Sequence, residues 1–405
     1  MKILKRVLLV LLVIILLLQI PIIYRRYQTG KLAQRIAELQ SQRVNREEAQ
    51  FKEYKGVIHV HTHLGGHSTG SFEELIAAAN ANDLDFVLMT EHYSDKFDTS
   101  ALTLNGVYGT TLFVGGNEID TADGDRFLMI PGSGEAASFK NMPTNAVLEK
   151  LHSENRLAFV TYPEKFKSWD SNFDGTEVFS LHTSAKQMNP FTGIFDLIWS
   201  YSSYPELTLA RSFRRPDANL QKFDEIAARR KITLFAGADA HSNIGFHLFG
   251  DDAGNKLINI KLDPYETIFR IARIHVLIER EKEFNKVTLL EAIKAGRHFI
   301  GFDALGDTTG FRFSIESKGM SATMGETIGI ADDLEFLAST PIPLPRTIFR
   351  NGLPWGNIAP DEKQLSFEKK DRATPGTYRI EVYRTDLGPP FDKMPWIISN
   401  PIFVR

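Results

Sequence analysis

Four of the eleven histidines fall within nine residues, as His59-Val60-His61-Thr62-His63-Leu64-Gly65-Gly66-His67. Side chains two apart on a β-strand share a face, so His59 and His61 on a strand can both address one metal ion, with His67 in the loop beyond. A lone His-x-His is a weak signal, because hydrogen-bonded histidines at a strand end look the same. Three further strings repeat the theme: Thr90-Glu91-His92, Gly116-Asn117-Glu118 and Gly237-Ala238-Asp239-Ala240-His241-Ser242. Each closes an apolar, β-branched run, and in a β/α barrel all of those addresses are the C-terminal face, where the loops converge on the active site. Unrelated surface histidines would not repeat in this way. The chain has no cysteine, which excludes disulfides, thiolate zinc sites and cysteine nucleophiles. A metal would have to be held by imidazole and carboxylate, a donor set that suits divalent cations used to activate water.

The elements that must position these residues alternate between short apolar runs and helical segments, the pattern of parallel βα units. The expected strands are 57–62, 85–90, 111–115, 126–130, 157–162, 176–180 and 232–236. Ser71-Phe72-Glu73-Glu74 is a capping box that opens a helix, and further helices are expected over 145–155, 217–230 and 287–295. Seven strands with intervening helices point to a closed or nearly closed β/α barrel, with a doubly wound open sheet as the competing architecture. Beyond Gly306 the composition shifts. Strand-like runs at 311–317, 334–338, 346–350 and 377–383, separated by Asn351-Gly352 and Pro375-Gly376, read as a small β-sandwich over 306–405.

These strings resemble the PHP family of metal-dependent phosphoesterases, whose ligands sit in a His-x-His strand, a Thr-Asp-His strand end, a Gly-x-Glu and a late Asp-Ala-His. The resemblance runs from about Gly56 to Gly301, within a domain expected over 56–305, and implies a distorted seven-stranded β/α barrel holding two or three divalent ions, commonly zinc, manganese or iron. Carried over by position, it implies that His59, His61, Glu118 and Asp239 form one metal site and His67, His92 and His241 another, with Glu118 bridging to a third ion. Glu118, Asp239 and His182 are the groups it would give to catalysis, acting on a small phosphorylated substrate. The chain departs from the pattern in the middle. Tyr162-Pro163-Glu164 stands where the family has His-Pro, and a histidine expected near Arg126 is missing. A neutral phenol is a poor zinc ligand at pH 7, so the middle site is the weak point; His152 or, better placed, His182 could substitute. Glu91 replaces the family's aspartate and is expected to orient a ligand without binding metal. His63 is expected beside the ligands rather than among them. Arg211, Arg214 and Arg215 are candidate phosphate clamps, weighed against an ordinary solvated basic face.

A net charge of -3, from 47 basic and 50 acidic residues well mixed along the chain, gives no basic field for a phosphate backbone, so nucleic acid is not the expected partner. The N-terminus carries an apolar run over 7–23 preceded by Lys2, Lys5 and Arg6. It is about long enough to cross a bilayer and lacks a small-residue cleavage site, so it reads as an uncleaved signal anchor over 1–28. The globular part is expected outside the cytoplasmic membrane, although Arg25, Arg26, Lys31 and Arg35 rival the N-terminal charges. Residues 29–55 read as a helical stalk, or as a helix lying back on the globular body. Two rivals to hydrolysis of a phosphate ester stay open: a degenerate module that binds metal or an envelope ligand without turnover, and metal-dependent hydrolysis of another bond.

Overall fold

A computed structural model describes residues 2–43, 50–186, 188–243, 245–250, 256–317, 319–331, 333–360, 364–365 and 374–405. The N-terminal helix runs unbroken from Lys2 to Ser41 with Pro21 inside it. Its first half exposes its apolar side chains from Ile3 to Leu18, and this helix is long and apolar enough to cross a membrane. Its second half is no free stalk. Leu32, Ala33 and Ile36 pack against the core, Leu39 is buried in it, and Arg43 pairs with Asp307. The spacing of four and three that marked a helical stripe thus marks a docked face. The expected helix to Lys55 is corrected as well, because a strand begins at Phe51.

That strand, Phe51–Val60, is the hub of a large mixed sheet. Its first half pairs antiparallel with Arg273–Glu279, from Phe51 opposite Glu279 to Gly56 opposite Ile274. Its second half lies parallel between Phe86–Met89 and Thr233–Ala240. From Thr233–Ala240 the pairing passes in parallel to Gly175–Ser180 and then to Leu157–Val160. It continues antiparallel to Arg126–Ile130 and to Asn117–Asp120, and parallel to Glu91–His92. Glu91–His92 follows Phe86–Met89 after one residue, so the run of pairings returns to the strand beside which it began. Thr111–Val114 flanks Phe86–Met89 in parallel. Phe86 and Leu88 fall in one apolar cluster and Val87 and Met89 in the other. Both faces of these strands are therefore buried, which explains why they read as continuous apolar runs without alternation.

Helices cover the sheet at Phe72–Ala81, Thr144–Ser153, Asp217–Ala227 and Lys286–Ala295. The capping box forms as read, with Ser71 accepting from Glu74 N and Glu74 accepting from Ser71 N. In the C-terminal region, Asn351 and Gly352 adopt left-handed φ values of 47° and 82° and join Arg346–Arg350 to Leu353–Ile358, a type I′ hairpin. The region is not a separate sandwich. Pro395–Ser399 pairs with His298–Gly301, so its strands extend the large sheet, and Trp396 is fully buried at that join. Among the described residues of this region, Met320–Thr323, Arg312–Ser317, Glu335–Ser339 and Gln364–Leu365 form a sheet of their own. An unpaired edge at His298–Gly301 would leave backbone groups without partners, and the C-terminal strands supply them.

Candidate metal centre

The first strand delivers His59 and His61 through a bulge. Between Ile58 and Val60 the neighbouring strand advances one residue, from Leu88 to Met89, while this strand advances two. His59 sits in the extra position with φ 70°, and the bulge aims its ring at the site. Tyr162 and Asp239 also hold left-handed φ values, 50° and 45°. Three such non-glycine residues, His59 and Asp239 within strands and Tyr162 just past Leu157–Val160, mark backbone strain maintained by its surroundings. Asp239 lies within its strand rather than after it, and His241 follows immediately.

Six of the residues singled out from the sequence converge. His59 Nε2 is 3.4 Å from Asp239 Oδ1 and 3.7 Å from Glu118 Oε2; His61 Nε2 is 3.6 and 3.5 Å from the same two oxygens. His92 Nδ1 lies 3.4 Å from Glu118 Oε2, and His241 Nδ1 3.5 Å from Asp239 Oδ1. The rings of His61 and His92 stack at 4.6 Å, and those of His61 and His241 at 4.4 Å. Two triads have donor atoms all close enough together to share an ion: His59, His61 and Glu118, and His61, His92 and His241. His67 is more exposed and stands at the edge, its ring 4.9 Å from that of His92. His182 approaches His241 with ring centroids 5.6 Å apart. His152 is elsewhere, 3.2 Å from Asp174, and is not a substitute ligand. His63 faces away, toward Gly70 O and the Phe72 ring, so its expected place beside the ligands is corrected. It lies in the turn His63–Gly65, where strand alternation has ended.

The carboxylates are divided in function, oxygen by oxygen. Glu118 Oε1 has Arg126 Nη1 at 3.4 Å, and Asp239 Oδ2 accepts a hydrogen bond of 2.9 Å from the Tyr162 hydroxyl. Their other oxygens, Glu118 Oε2 and Asp239 Oδ1, are buried and make no hydrogen bond among the described residues; neither do His59 Nε2 or either ring nitrogen of His61. A buried polar atom left without a hydrogen bond costs about 1–3 kcal/mol. A cation is the partner that fits two anionic oxygens and the Nε2 atoms of His59 and His61 converging on them. The residues present therefore fit a divalent metal.

Behind them stands a layer that holds the ligands in place. His59 Nδ1 is 2.9 Å from Glu177 Oε1, and Thr161 donates to Glu177 Oε2 at 2.7 Å. Burial opposes a charge on His59, but Glu177, Asp239 and Glu118 outweigh it and raise its pKa well above the usual value. Burial and the neighbouring histidines push His61 well below. Burial also opposes charge on Glu118 and Asp239, yet the surrounding histidines hold both carboxyls below the ordinary range. Tyr162 is driven upward by burial and by Asp239 and Glu118, so its phenol stays protonated and can only donate to Asp239. Glu91 accepts from Thr62 N and Oγ1 and from Thr103, fixing the backbone next to His61 without touching the centre. Glu177 and Arg126 went unread as site residues; a glutamate inside the apolar run Gly175–Ser180 was the available signal for the first. Arg211, Arg214 and Arg215 are engaged elsewhere, by Thr29, by main-chain carbonyls and by Glu381. The cation beside the cluster is Arg126.

Fold and site together define a mixed α/β protein with an N-terminal apolar helix and a buried histidine–carboxylate cluster suited to divalent metal. No protein-family model matches the chain, and no curated protein does. Among solved structures, the crystal structure of PsfC from Pseudomonas syringae PB-5123 is similar over 59% of this chain and 87% of its own, at 12% identity and a TM-score of 0.31.

Proposed function

We propose that the chain is a membrane-anchored, metal-dependent hydrolase of phosphate esters, of the PHP type. The circuit of seven paired strand positions is read as that family's distorted β/α barrel, and the globular part is read as lying outside the cytoplasmic membrane. The observation that carries the reading is the convergence of four buried atoms that make no hydrogen bond among the described residues: His59 Nε2, His61 Nε2, Glu118 Oε2 and Asp239 Oδ1.

Bound divalent ions supply Lewis acidity, which makes water nucleophilic near neutral pH and offsets charge building on the phosphoryl group. The protein's own groups do the rest. His59, His61, Glu118 and Asp239 would hold one ion, and His61, His92 and His241 the groups around a second, with His67 at the rim. In place of a third ion, the Arg126 guanidinium beside Glu118 and the Tyr162 phenol on Asp239 neutralise the outward oxygens. This makes two ions, not three, the reading favoured here. Arg126 and Lys165 line one cavity with Tyr162, and Arg126, whose Nε donates to Asp120 at 2.7 Å, would be the clamp for a substrate phosphate, being the guanidinium beside the cluster. His182, half-buried with its ring 5.6 Å from that of His241, would give a proton to the leaving oxygen.

The test is elemental analysis of the full chain purified without chelator, beside a His59→Ala/Asp239→Ala variant, with p-nitrophenyl phosphate hydrolysis measured on both. Two ions per chain and hydrolysis, both lost in the variant, are expected. No bound metal after reconstitution with zinc, manganese or iron sinks the reading; metal without hydrolysis leaves a binding module.

A further inference from the structure

Next to the metal centre lies a cavity of about 190 Å³. Asp239 and His182 belong to its wall, so it adjoins the cluster. Apart from those two and Asp263, every lining side chain is aliphatic, phenylalanine or methionine, including Leu209, Phe213, Ile268 and Ile271. A site that handled only a small, highly charged phosphate would have no use for such a wall, because burying apolar surface against a polar ligand gains nothing.

One side of the wall comes from the segment that follows the Glu177 strand, through Leu181 and His182 of the helix Leu181–Lys186, Met188, Leu197 of the π-helical turn Leu197–Tyr201, Leu209 of the helix Pro205–Ala210, and Phe213; the other side comes from Ala238–Ala240 and from residues between Leu262 and Ile271. The segment after the Glu177 strand also grips the N-terminal helix, at the end of its apolar run and just past it. Trp199 Nε1 donates to Gln19 at 3.0 Å, Arg25 pairs with Asp196, Arg26 bonds the Trp199 carbonyl, and Arg211 donates to Thr29 at 3.0 Å. Gly30 lets Tyr204 come close, since a Cβ there would meet its hydroxyl at 2.8 Å. Beside Trp199, Ile198 is 65% exposed and Ile194 53%, on the side of the molecule that carries the exposed apolar helix. If that helix spans a bilayer, Gln19 to Arg26 lie at its surface, where tryptophan and arginine are favoured, and the two isoleucines face the headgroup zone.

Resting on the hydrolase reading above, we propose that the substrate is an amphiphilic phosphate ester taken from the membrane. Its hydrocarbon chain occupies this cavity past Ile198 and Leu197 while its phosphate reaches the metal centre. The cavity is too small for a whole lipid, so it takes the part of the chain nearest the phosphate.

The experiment is calorimetric binding of ethyl, butyl and hexyl phosphate to the manganese-loaded full chain in lipid nanodiscs. Affinity should rise by about fourfold for each methylene that reaches the cavity. Leu209→Trp, which fills the cavity, and the better tolerated Met188→Glu, at its half-buried outer wall, should each flatten that slope; a slope unchanged in both is partition into the nanodisc and overturns the proposal. A series that is flat in the unaltered protein overturns it too, and leaves the hydrolase reading standing so long as ethyl phosphate binds only with metal. If no alkyl phosphate binds at all, both fall together. For the source, Ile198→Glu should lower phosphate release from dodecyl phosphate embedded in the nanodisc severalfold more than from hexyl phosphate in water; equal effects rule out entry from the membrane.

Discussion

Replacing Glu177 by glutamine isolates the contribution of the layer behind the ligands. Both His59 and Glu177 are fully buried, and the carboxylate oxygen sits 2.9 Å from His59 Nδ1. The amide oxygen can still accept from Nδ1 while the amide nitrogen turns to Thr161 Oγ1, so shape and bonding survive and only the charge is lost. A hydrogen bond to a charged group contributes about 1.5–3 kcal/mol. At 1.4 kcal/mol per tenfold, that is a metal affinity weaker by about 10- to 100-fold, the range expected when the partner of a ligating histidine is altered. Titration of the full chain against a competing fluorescent chelator reads the affinity, and elemental analysis reads the stoichiometry. The stoichiometry should stay unchanged at saturating metal while the affinity drops. An affinity within twofold of the unaltered protein, with His59→Ala still abolishing binding at that site, would refute the claim that Glu177 tunes the ligand.

Gly237→Ala should reproduce the same loss by a steric route, because a Cβ there would fall 1.5 Å from Glu177 Oε1 and 3.2 Å from His59 Cβ. An overpacking cost of about 1–3 kcal/mol should appear in urea denaturation as well. Arg126→Gln should raise KM for p-nitrophenyl phosphate by about tenfold or more while metal content holds, since a charge-assisted contact is removed; alanine at Arg214, tied only to main-chain carbonyls, should leave KM unchanged. Stability should peak near neutral pH. His275 is buried, and Asp303 and Glu53 overcome the cost of that burial and raise its pKa to about 9. Its contribution, roughly 3 kcal/mol for a rise from 6.5, is complete below pH 6.5 and lost as pH rises through 9. Burial pushes His298 down to about 4, so the fold also weakens as pH falls from 6.5 toward 4. Denaturation at pH 5, 7 and 9 checks both slopes, and His275→Gln should flatten the alkaline one.

The local part of this protein is written in local sequence. Apolar β-branched runs placed Arg126–Ile130 and Arg346–Arg350 to the residue, and Ser71-Phe72-Glu73-Glu74 and Asn351-Gly352 placed a helix start and a hairpin turn, because each rests on contacts within a few positions. The histidines and carboxylates of the centre were legible because their strings follow apolar runs; the structure puts His59 and Asp239 inside their strands and Glu118 near the start of Asn117–Asp120, a strand separate from Thr111–Val114. What lay beyond reach depends on partners far away in the chain. Glu177 matters because it meets His59 118 positions earlier, and the reading of Phe51–Lys55 as helix failed because its strand partner is Arg273–Glu279. The residues 306–405 read as a separate unit since their own pattern is complete, yet the backbone of His298–Gly301 required an edge partner and took Pro395–Ser399. Sequence alone determined which side chains could hold a cation. Only the tertiary structure decided which oxygens of Glu118 and Asp239 remain free for it, because Arg126 and Tyr162 claim the others through space, across strands whose pairing no local pattern records.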